Sequence, residues 1–147
     1  MRKLGMIGLV AVLAVGAVLL LVRLVGPIVI QKVKASVEAT HDDAKAFAKD
    51  HHAADCVEEA ARRLRTGSGA ANDFRTQTFV SQCLWVAPAS PDLCASVPAA
   101  EGITMNTDWE KGECAKRGLS ANERCPTLFI ALRQHCRRIR SGSPSNP

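Results

Sequence analysis

The chain has 147 residues, of which 47% are hydrophobic and 4% aromatic, and its formal net charge is +5. Five of its nineteen Lys and Arg residues flank an apolar amino-terminal segment, which leaves fourteen basic and fourteen acidic residues in the rest of the chain. A domain without excess positive charge does not predict nucleic-acid binding, and its length allows one modest core.

The amino-terminal segment Leu4–Val22 is a run of nineteen residues without a charge. A helix of this length, at about 1.5 Å per residue, matches the roughly 30 Å hydrocarbon core of a bilayer. Apolar residues resume over Leu24–Ile30, and the Arg23 side chain can extend toward the headgroups. The sequence therefore predicts a single-pass transmembrane helix that contacts the membrane through residues 4–30, within an anchor and juxtamembrane segment at residues 1–35.

A cleaved signal peptide is the alternative for this segment. Arg2 and Lys3 form a basic start, and Val33-Lys34-Ala35 has the small-residue spacing of a cleavage site. The apolar region of a signal peptide typically has 7 to 15 residues. The run here is longer, which favours an uncleaved anchor.

Six cysteines lie beyond this segment, within a predicted helical domain at residues 36–140: Cys56, Cys83, Cys94, Cys114, Cys125 and Cys136. An even number of cysteines in a small domain is typical of a disulfide framework formed in an oxidising compartment. Positive charges flank both ends of the apolar run, so they do not define its orientation. The cysteines place the domain, by prediction, in the periplasm or outside the cell.

Periodicity and helix caps predict the first helices of the domain. Pro27 is expected to kink or restart the amino-terminal helix. Thr40 is a predicted N-cap for a helix over His41–Arg65. After a glycine-containing loop, Asn72 is the predicted cap of a helix to about Ala87. The residues expected to face inward on this second helix are Phe74, Val80, Cys83 and Leu84.

Prolines and capping boxes divide the remaining chain. A short helix is predicted over Pro91–Val97, followed by an irregular segment at residues 99–106. Thr107 is the predicted N-cap of a helix to Arg117, with Gly118 at its C′ position.

The last helix is predicted to reach Arg140, with inward side chains from Phe129, Leu132, Cys136 and Ile139. Ser120 opens a capping box, but Pro126 implies either a kink or a true start at Cys125. The tail at residues 141–147 is predicted to be disordered. No useful β-alternation occurs, so the predicted fold class is all-α: a single transmembrane helix followed by a small disulfide-stabilised helical domain.

Cysteine spacing suggests which cysteines pair. Ten residues separate Cys83 from Cys94 and Cys114 from Cys125, and each pair spans a helix break. Cys125 and Cys136 lie too far apart on one straight helix to form a disulfide. By elimination, Cys56 is predicted to pair with Cys136.

Charge supports this last pairing, because acidic residues surround Cys56 and basic residues surround Cys136. The two sets are Asp50, Asp55, Glu58 and Glu59, and Arg133, Arg137, Arg138 and Arg140. The main alternative pairs Cys56 with Cys83 across a helical hairpin and Cys94 with Cys136.

Two partial resemblances cover parts of the chain. The first thirty residues resemble a type IV pilin precursor: a basic leader ends at Gly5, an apolar helix follows, and Pro27 lies where pilins carry a kinking proline. Val10 stands where that family usually has glutamate. The cysteine spacing resembles that of coiled-coil-helix-coiled-coil-helix proteins, although Pro88 and Pro91 interrupt the first such helix.

Few residues suggest chemistry. His51, His52 and Cys56 form a cluster in which His52 and Cys56 lie one helical turn apart, a spacing that can bind a soft metal. The alternative is that Cys56 forms a disulfide and the histidines are solvated. There is no C-x-x-C, no haem-attachment motif, no nucleophile elbow and no phosphate-binding glycine loop.

The sequence therefore predicts no catalytic residues and no cofactor. We expect a membrane-anchored interaction or structural module that binds an unknown protein partner. Two alternatives remain: a small-ligand or metal-handling domain that uses His51, His52 and Cys56, and a type IV pilin-like subunit.

Overall fold

The computed structural model describes residues 2–88, 90–99 and 103–142. These residues form six helices and no strand: α1 (Arg2–Ala48), α2 (Ala53–Thr66), α3 (Ala70–Val86), α4 (Pro91–Ala95), α5 (Ile103–Lys116) and α6 (Cys125–Arg140). The all-α class and the presence of disulfide bonds are confirmed.

Helix α1 continues through Pro27 and past the predicted N-cap Thr40. Thr40, Ala44 and Ala48 are buried at a spacing of four residues, so they form one inward face that carries the helix beyond the predicted start. The range predicted as the single helix His41–Arg65 is instead divided between the end of α1 and α2, so that prediction is wrong.

The chain turns between α1 and α2. His51 Nδ1 lies 2.8 Å from the Phe47 carbonyl oxygen, and the His52 backbone N–H donates to Asp55 Oδ2 at 2.8 Å. A carboxylate in the first turn that accepts from the N-cap residue is one half of a capping box. The start signal for α2 is thus His52 with Asp55, twelve residues after Thr40.

Helix α3 begins at Ala70, after Gly69, whose φ of +83° suits glycine. The predicted cap Asn72 instead lies inside the helix and donates from Nδ2 to the Arg63 carbonyl oxygen. The inward face consists of Thr76, Phe79, Val80, Cys83 and Leu84. Phe74 was predicted to face inward, and this is wrong, since 53% of it is exposed.

Helix α5 begins at Ile103, so Thr107 is not its N-cap and residues 103–106 are not irregular. Its end is as predicted. Gly118 has a φ of +68°, and the Leu119 and Gly118 backbone N–H groups donate to the Cys114 and Ala115 carbonyls at 2.9 and 3.0 Å. These two bonds form a Schellman motif, for which glycine at C′ is favoured.

Helix α6 takes the second of its two predicted starts, at Cys125, with Pro126 in its first turn. A proline there lacks only an N–H that would have no intrahelical partner. The predicted inward residues Phe129, Leu132 and Cys136 are buried, whereas Ile139 is 37% exposed. Most of the tail predicted to be disordered, residues 143–147, lies outside the described residues.

The chain divides into two units, Met1–Ser36 and Val37–Pro147. In the second unit α2 packs on α3 and α6, while α3 and α5 also pack on α6. The core consists of aliphatic, phenylalanine and cysteine side chains from these helices, together with Ala44 and Ala48 of α1, Cys94 of α4, Val97 and Leu119, and all six cysteines lie within it.

In the first unit, the described part of α1 carries large apolar side chains that are about half exposed or more. They are Val15, Leu19, Leu20, Val22, Leu24, Val25, Ile28, Val29, Ile30 and Val33. Across the described residues, no helix has the length and apolar character needed to cross a membrane. The side chains of residues 2–14, 17, 18 and 21, most of the predicted span Leu4–Val22, lie outside the described residues.

Candidate functional site

Three disulfides connect the helices of the second unit. Cys56 pairs with Cys83, Cys94 with Cys136 and Cys114 with Cys125, and no described cysteine is free. The predicted Cys114–Cys125 bond is confirmed. The predicted Cys56–Cys136 and Cys83–Cys94 bonds are wrong, and the alternative pairing is the one present.

The geometry of two helix pairs explains this correction. Helices α2 and α3 are joined by a three-residue loop, and Cys56 and Cys83 lie at the open end of this hairpin, with Cα atoms 5.8 Å apart. Cys94 of α4 lies beside the end of α6, where Arg140 Nη2 donates to the Cys94 and Val97 carbonyls at 2.5 and 2.6 Å. Each pair is therefore within disulfide distance. The prediction failed because it first paired cysteines that are close in the sequence and then assigned the remaining two to each other.

The predicted matching of acidic and basic patches is also wrong. Arg133 pairs with the buried Glu110 of α5 at 2.9 Å, and Arg138 lies over the Trp85 ring, 3.8 Å from its centre. On the acidic side, Glu58 binds Arg117 Nη2 at 2.7 Å. Glu58 of α2 and Arg133 of α6 thus pair with residues in or directly after α5 rather than with each other's helix.

The proposed metal ligands His51, His52 and Cys56 do not form a site. Cys56 is in a disulfide, so its thiolate is not available as a ligand. The His51 ring stacks on Phe47 with centroids 3.9 Å apart. No group of three potential metal ligands occurs among the residues that the structure describes.

An exposed row on α3 is the most distinctive surface of the second unit. Its residues repeat at helical spacing opposite the buried face, and they are Phe74, Gln77, Thr78, Ser81, Gln82 and Trp85. Together with His41 of α1 they line a groove of about 500 Å³. The row carries no charge, and an exposed phenylalanine and an exposed tryptophan lie at its two ends.

Two further cavities lie along the contact between α3 and α6. At one end, Phe74 and Gln77 line a cavity of about 160 Å³ with Arg124 and Thr127. At the other end, a cavity of about 270 Å³ lies between the carboxy-terminal halves of both helices. Because the start of α3 meets the start of α6 and the ends also meet, the two helices run parallel.

We call the line of contact that connects these two cavities the α3–α6 seam. From α3 it contains Phe74, Gln77, Ser81 and Trp85. From α6 it contains Arg124, Thr127, Ala131, Gln134, Arg137 and Arg138. Asp73, at the start of α3, is the only acidic side chain among the residues that line these two cavities.

His135 lines the wider end of the seam and is only 6% exposed. Burial, and next the positive charge of Arg138, lower the pKa of this imidazole, while the Leu84 carbonyl opposes them in part. Arg138 Nη2 lies 3.3 Å from His135 Nδ1. Nε2 is buried and has no partner with hydrogen-bond geometry among the described residues.

A separate cluster holds α1 and α2 together around Phe79. The Arg63 guanidinium lies over the Phe79 ring at 3.6 Å and pairs with Asp43 of α1 at 2.6 Å and with Glu59 at 2.8 Å. Glu59 also accepts two hydrogen bonds from Arg62. The hydrogen bonds from Arg62, the largest effect, and those from Arg63 outweigh partial burial and lower the pKa of Glu59 to about 2.

The substitution Glu59→Gln is expected to reduce the free energy of unfolding by about 1 kcal/mol at pH 7. A carboxylate whose pKa is depressed in the folded state stabilises it fully above the unfolded pKa of about 4.5, and this contribution is lost as pH falls toward 2. Urea denaturation at both pH values should therefore show a difference at pH 7 that is much smaller at pH 2. Glu123→Gln, at an exposed carboxylate, is the control. An equal loss of unfolding free energy for both variants would contradict a stabilising role for the ion pairs of Glu59.

Sequence reasoning missed the seam, although one signal was present. Helix α3 carries two interleaved rows at helical spacing, and the inward row contains Phe79 while the outward row contains Phe74 and Trp85. Periodicity alone does not say which row faces the core.

Searches of family models, curated proteins and solved structures find no match to the chain.

Proposed function

We propose that this protein is a membrane-anchored binding module without catalytic activity, whose disulfide-bonded helical domain faces the periplasm or the cell exterior and docks a protein partner. The observation that carries the anchor is the row of ten exposed, large apolar side chains on the described part of α1. At about 100° per residue, these ten side chains together are distributed around the whole circumference of the helix, and Arg23 is the one charged residue between Val15 and Ile30. A helix that is apolar all round requires an apolar environment.

Two features support the remaining parts of the proposal. Three disulfides with no free thiol among the described cysteines fit an oxidising compartment. The exposed aromatic residues Phe74 and Trp85 fit a protein-binding surface, since aromatic side chains are enriched at the centres of interfaces. The metal-handling alternative lacks its cysteine ligand, and the pilin-like alternative lacks a β-sheet in the described residues.

The full chain is expected to sediment with membranes, to resist extraction by alkaline carbonate and to dissolve in detergent. The double variant Val15→Lys, Leu19→Lys should weaken insertion, because a lysine near the centre of a membrane helix costs about 2.5 to 3.5 kcal/mol. Fractionation followed by immunoblotting measures the effect. A matched control is Ile130→Lys, which places a lysine on an exposed position of α6.

Topology and processing are tested on the same membranes. Protease added from the oxidising side should cleave residues after about 36, and the mature protein should keep its amino terminus. A soluble form that begins at Ser36 would support the signal-peptide alternative and overturn the anchor.

A further inference from the structure

We infer that the α3–α6 seam binds an acidic amphipathic helix of a partner protein. This inference deepens the proposed protein-binding function and rests on it. It names the surface, the secondary structure of the partner segment and the charge that the segment carries.

The shape of the seam suits a helix. Phe74 and Trp85 are eleven residues apart on α3, which corresponds to about 16 Å along the helix axis. Between them the seam is lined by small or uncharged side chains, including Ser81 and Ala131. Small residues at the centre let another helix approach closely, and the aromatic residues at the ends offer apolar contacts about three turns apart.

Charge defines the partner's composition. Arg124 lies at one end of the seam, and Arg137 and Arg138 lie at the other. None of the three forms an ion pair with a carboxylate among the described residues. Asp73 is the single opposing charge and lies at the same end as Arg124, so the excess of positive charge is greatest at Arg137 and Arg138. With three arginines against one aspartate, the seam is complementary to a segment of net negative charge.

His135 also lines the wider end of the seam, but its ring is buried and lies next to Arg138 and the Leu84 carbonyl. The partner's carboxylates are therefore expected to meet the exposed side chains of Arg124 and Arg137 rather than this imidazole. A lipid headgroup suits the surface less well, because Arg124 lies at the opposite end of the seam from Arg137 and Arg138, so one phosphate does not reach all three.

The test uses the full-length chain in phosphatidylcholine nanodiscs with the substitution Trp109→Phe. Trp85 is then the only tryptophan, since the chain has two, and its emission reports occupancy of the seam. The probe is a synthetic helical peptide of about 15 residues, which spans roughly the length of the seam, with a leucine stripe and glutamates in its first and last turns. A second peptide has lysines in place of the glutamates.

We expect the acidic peptide to shift the Trp85 emission and to bind about tenfold more tightly than the basic peptide at low salt, with the difference shrinking as salt rises. The double variant Arg124→Glu, Arg137→Glu changes two exposed side chains and should reverse the preference between the peptides. Lys111→Glu, on the exposed face of α5, adds the same kind of charge change outside the seam and should leave both affinities unchanged.

Three results would overturn the inference: equal binding of the two peptides, acidic-peptide binding that survives the double charge reversal, or displacement of the peptide by short-chain phosphatidylglycerol. Concentration-dependent self-association that the double reversal abolishes would instead identify the seam as an interface between copies. Whether the chain enters the nanodiscs reports on the anchor, whereas the emission of Trp85 reports on the seam, and a chain that stays outside the nanodiscs is titrated with the same peptides in buffer. Failure of the seam and failure of the anchor are therefore distinguishable.

Discussion

Reduction of the three disulfides is expected to abolish cooperative unfolding of the helical domain. The bonds close loops with sequence separations of 27, 42 and 11 residues. The chain-entropy relation gives about 3.5, 4 and 3 kcal/mol for these loops. Small domains have a net stability of only about 5 to 15 kcal/mol, so loss of all three bonds removes most or all of it. Circular dichroism melting before and after reduction, with six thiols counted, measures the effect.

Loop length also ranks the individual bonds. Replacing Cys94 and Cys136 by alanine should lower the melting temperature more than replacing Cys114 and Cys125, because the first pair closes the longer loop. An unchanged melting temperature after complete reduction would contradict the stabilising role of the bonds.

Trypsin mapping of the unreduced protein checks the pairing itself. Cleavage leaves Cys83 and Cys94 on one peptide, residues 76–111, since no lysine or arginine lies between them. In the observed pairing this peptide carries both the Cys56 peptide and the Cys136 peptide. In the pairing expected from spacing, the Cys56 and Cys136 peptides would be linked to each other and residues 76–111 would be released alone.

The sequence was sufficient for features that depend on local residues. Three of the four residues predicted to face inward on α6 are buried, as apolar periodicity indicates, and the end of α5 follows from Gly118, because few other residues tolerate its φ. The even cysteine count predicted that all six would be oxidised. These inferences needed no knowledge of which helices become neighbours.

The predictions that were wrong concern features that depend on tertiary packing. Thr40 has the local pattern of an N-cap, but Ala44 and Ala48 continue the buried face of α1 through it. The seam exists because α3 and α6 run parallel, and the cysteine pairing follows from the same packing of helices. Neither relation is encoded by the spacing within one helix, so spacing alone favoured the wrong bonds.

The largest expected effect of a single side chain is at Phe129, on the inward face of α6. This residue is fully buried, its ring meets Trp109 edge-to-face with centroids 5.7 Å apart, and Arg117 lies 5.0 Å from its centre. Phe129→Ala should lower the free energy of unfolding by about 3 to 5 kcal/mol, because it removes these contacts and leaves a cavity where α5 meets α6. Urea denaturation with the disulfides intact measures the change.

The neighbouring residue provides the control. Ile130 is 37% exposed and occupies the next position of the same helix, so Ile130→Ala changes helix propensity and loop constraints in nearly the same way as Phe129→Ala without opening the core. We expect a loss below about 1 kcal/mol for the control. Phe129→Leu keeps much of the volume and should fall between the two, which separates cavity formation from misfolding. Equal losses at Phe129 and Ile130 would mean that α6 does not present this face to the core, and the α6 side chains assigned to the seam would then be wrong as well.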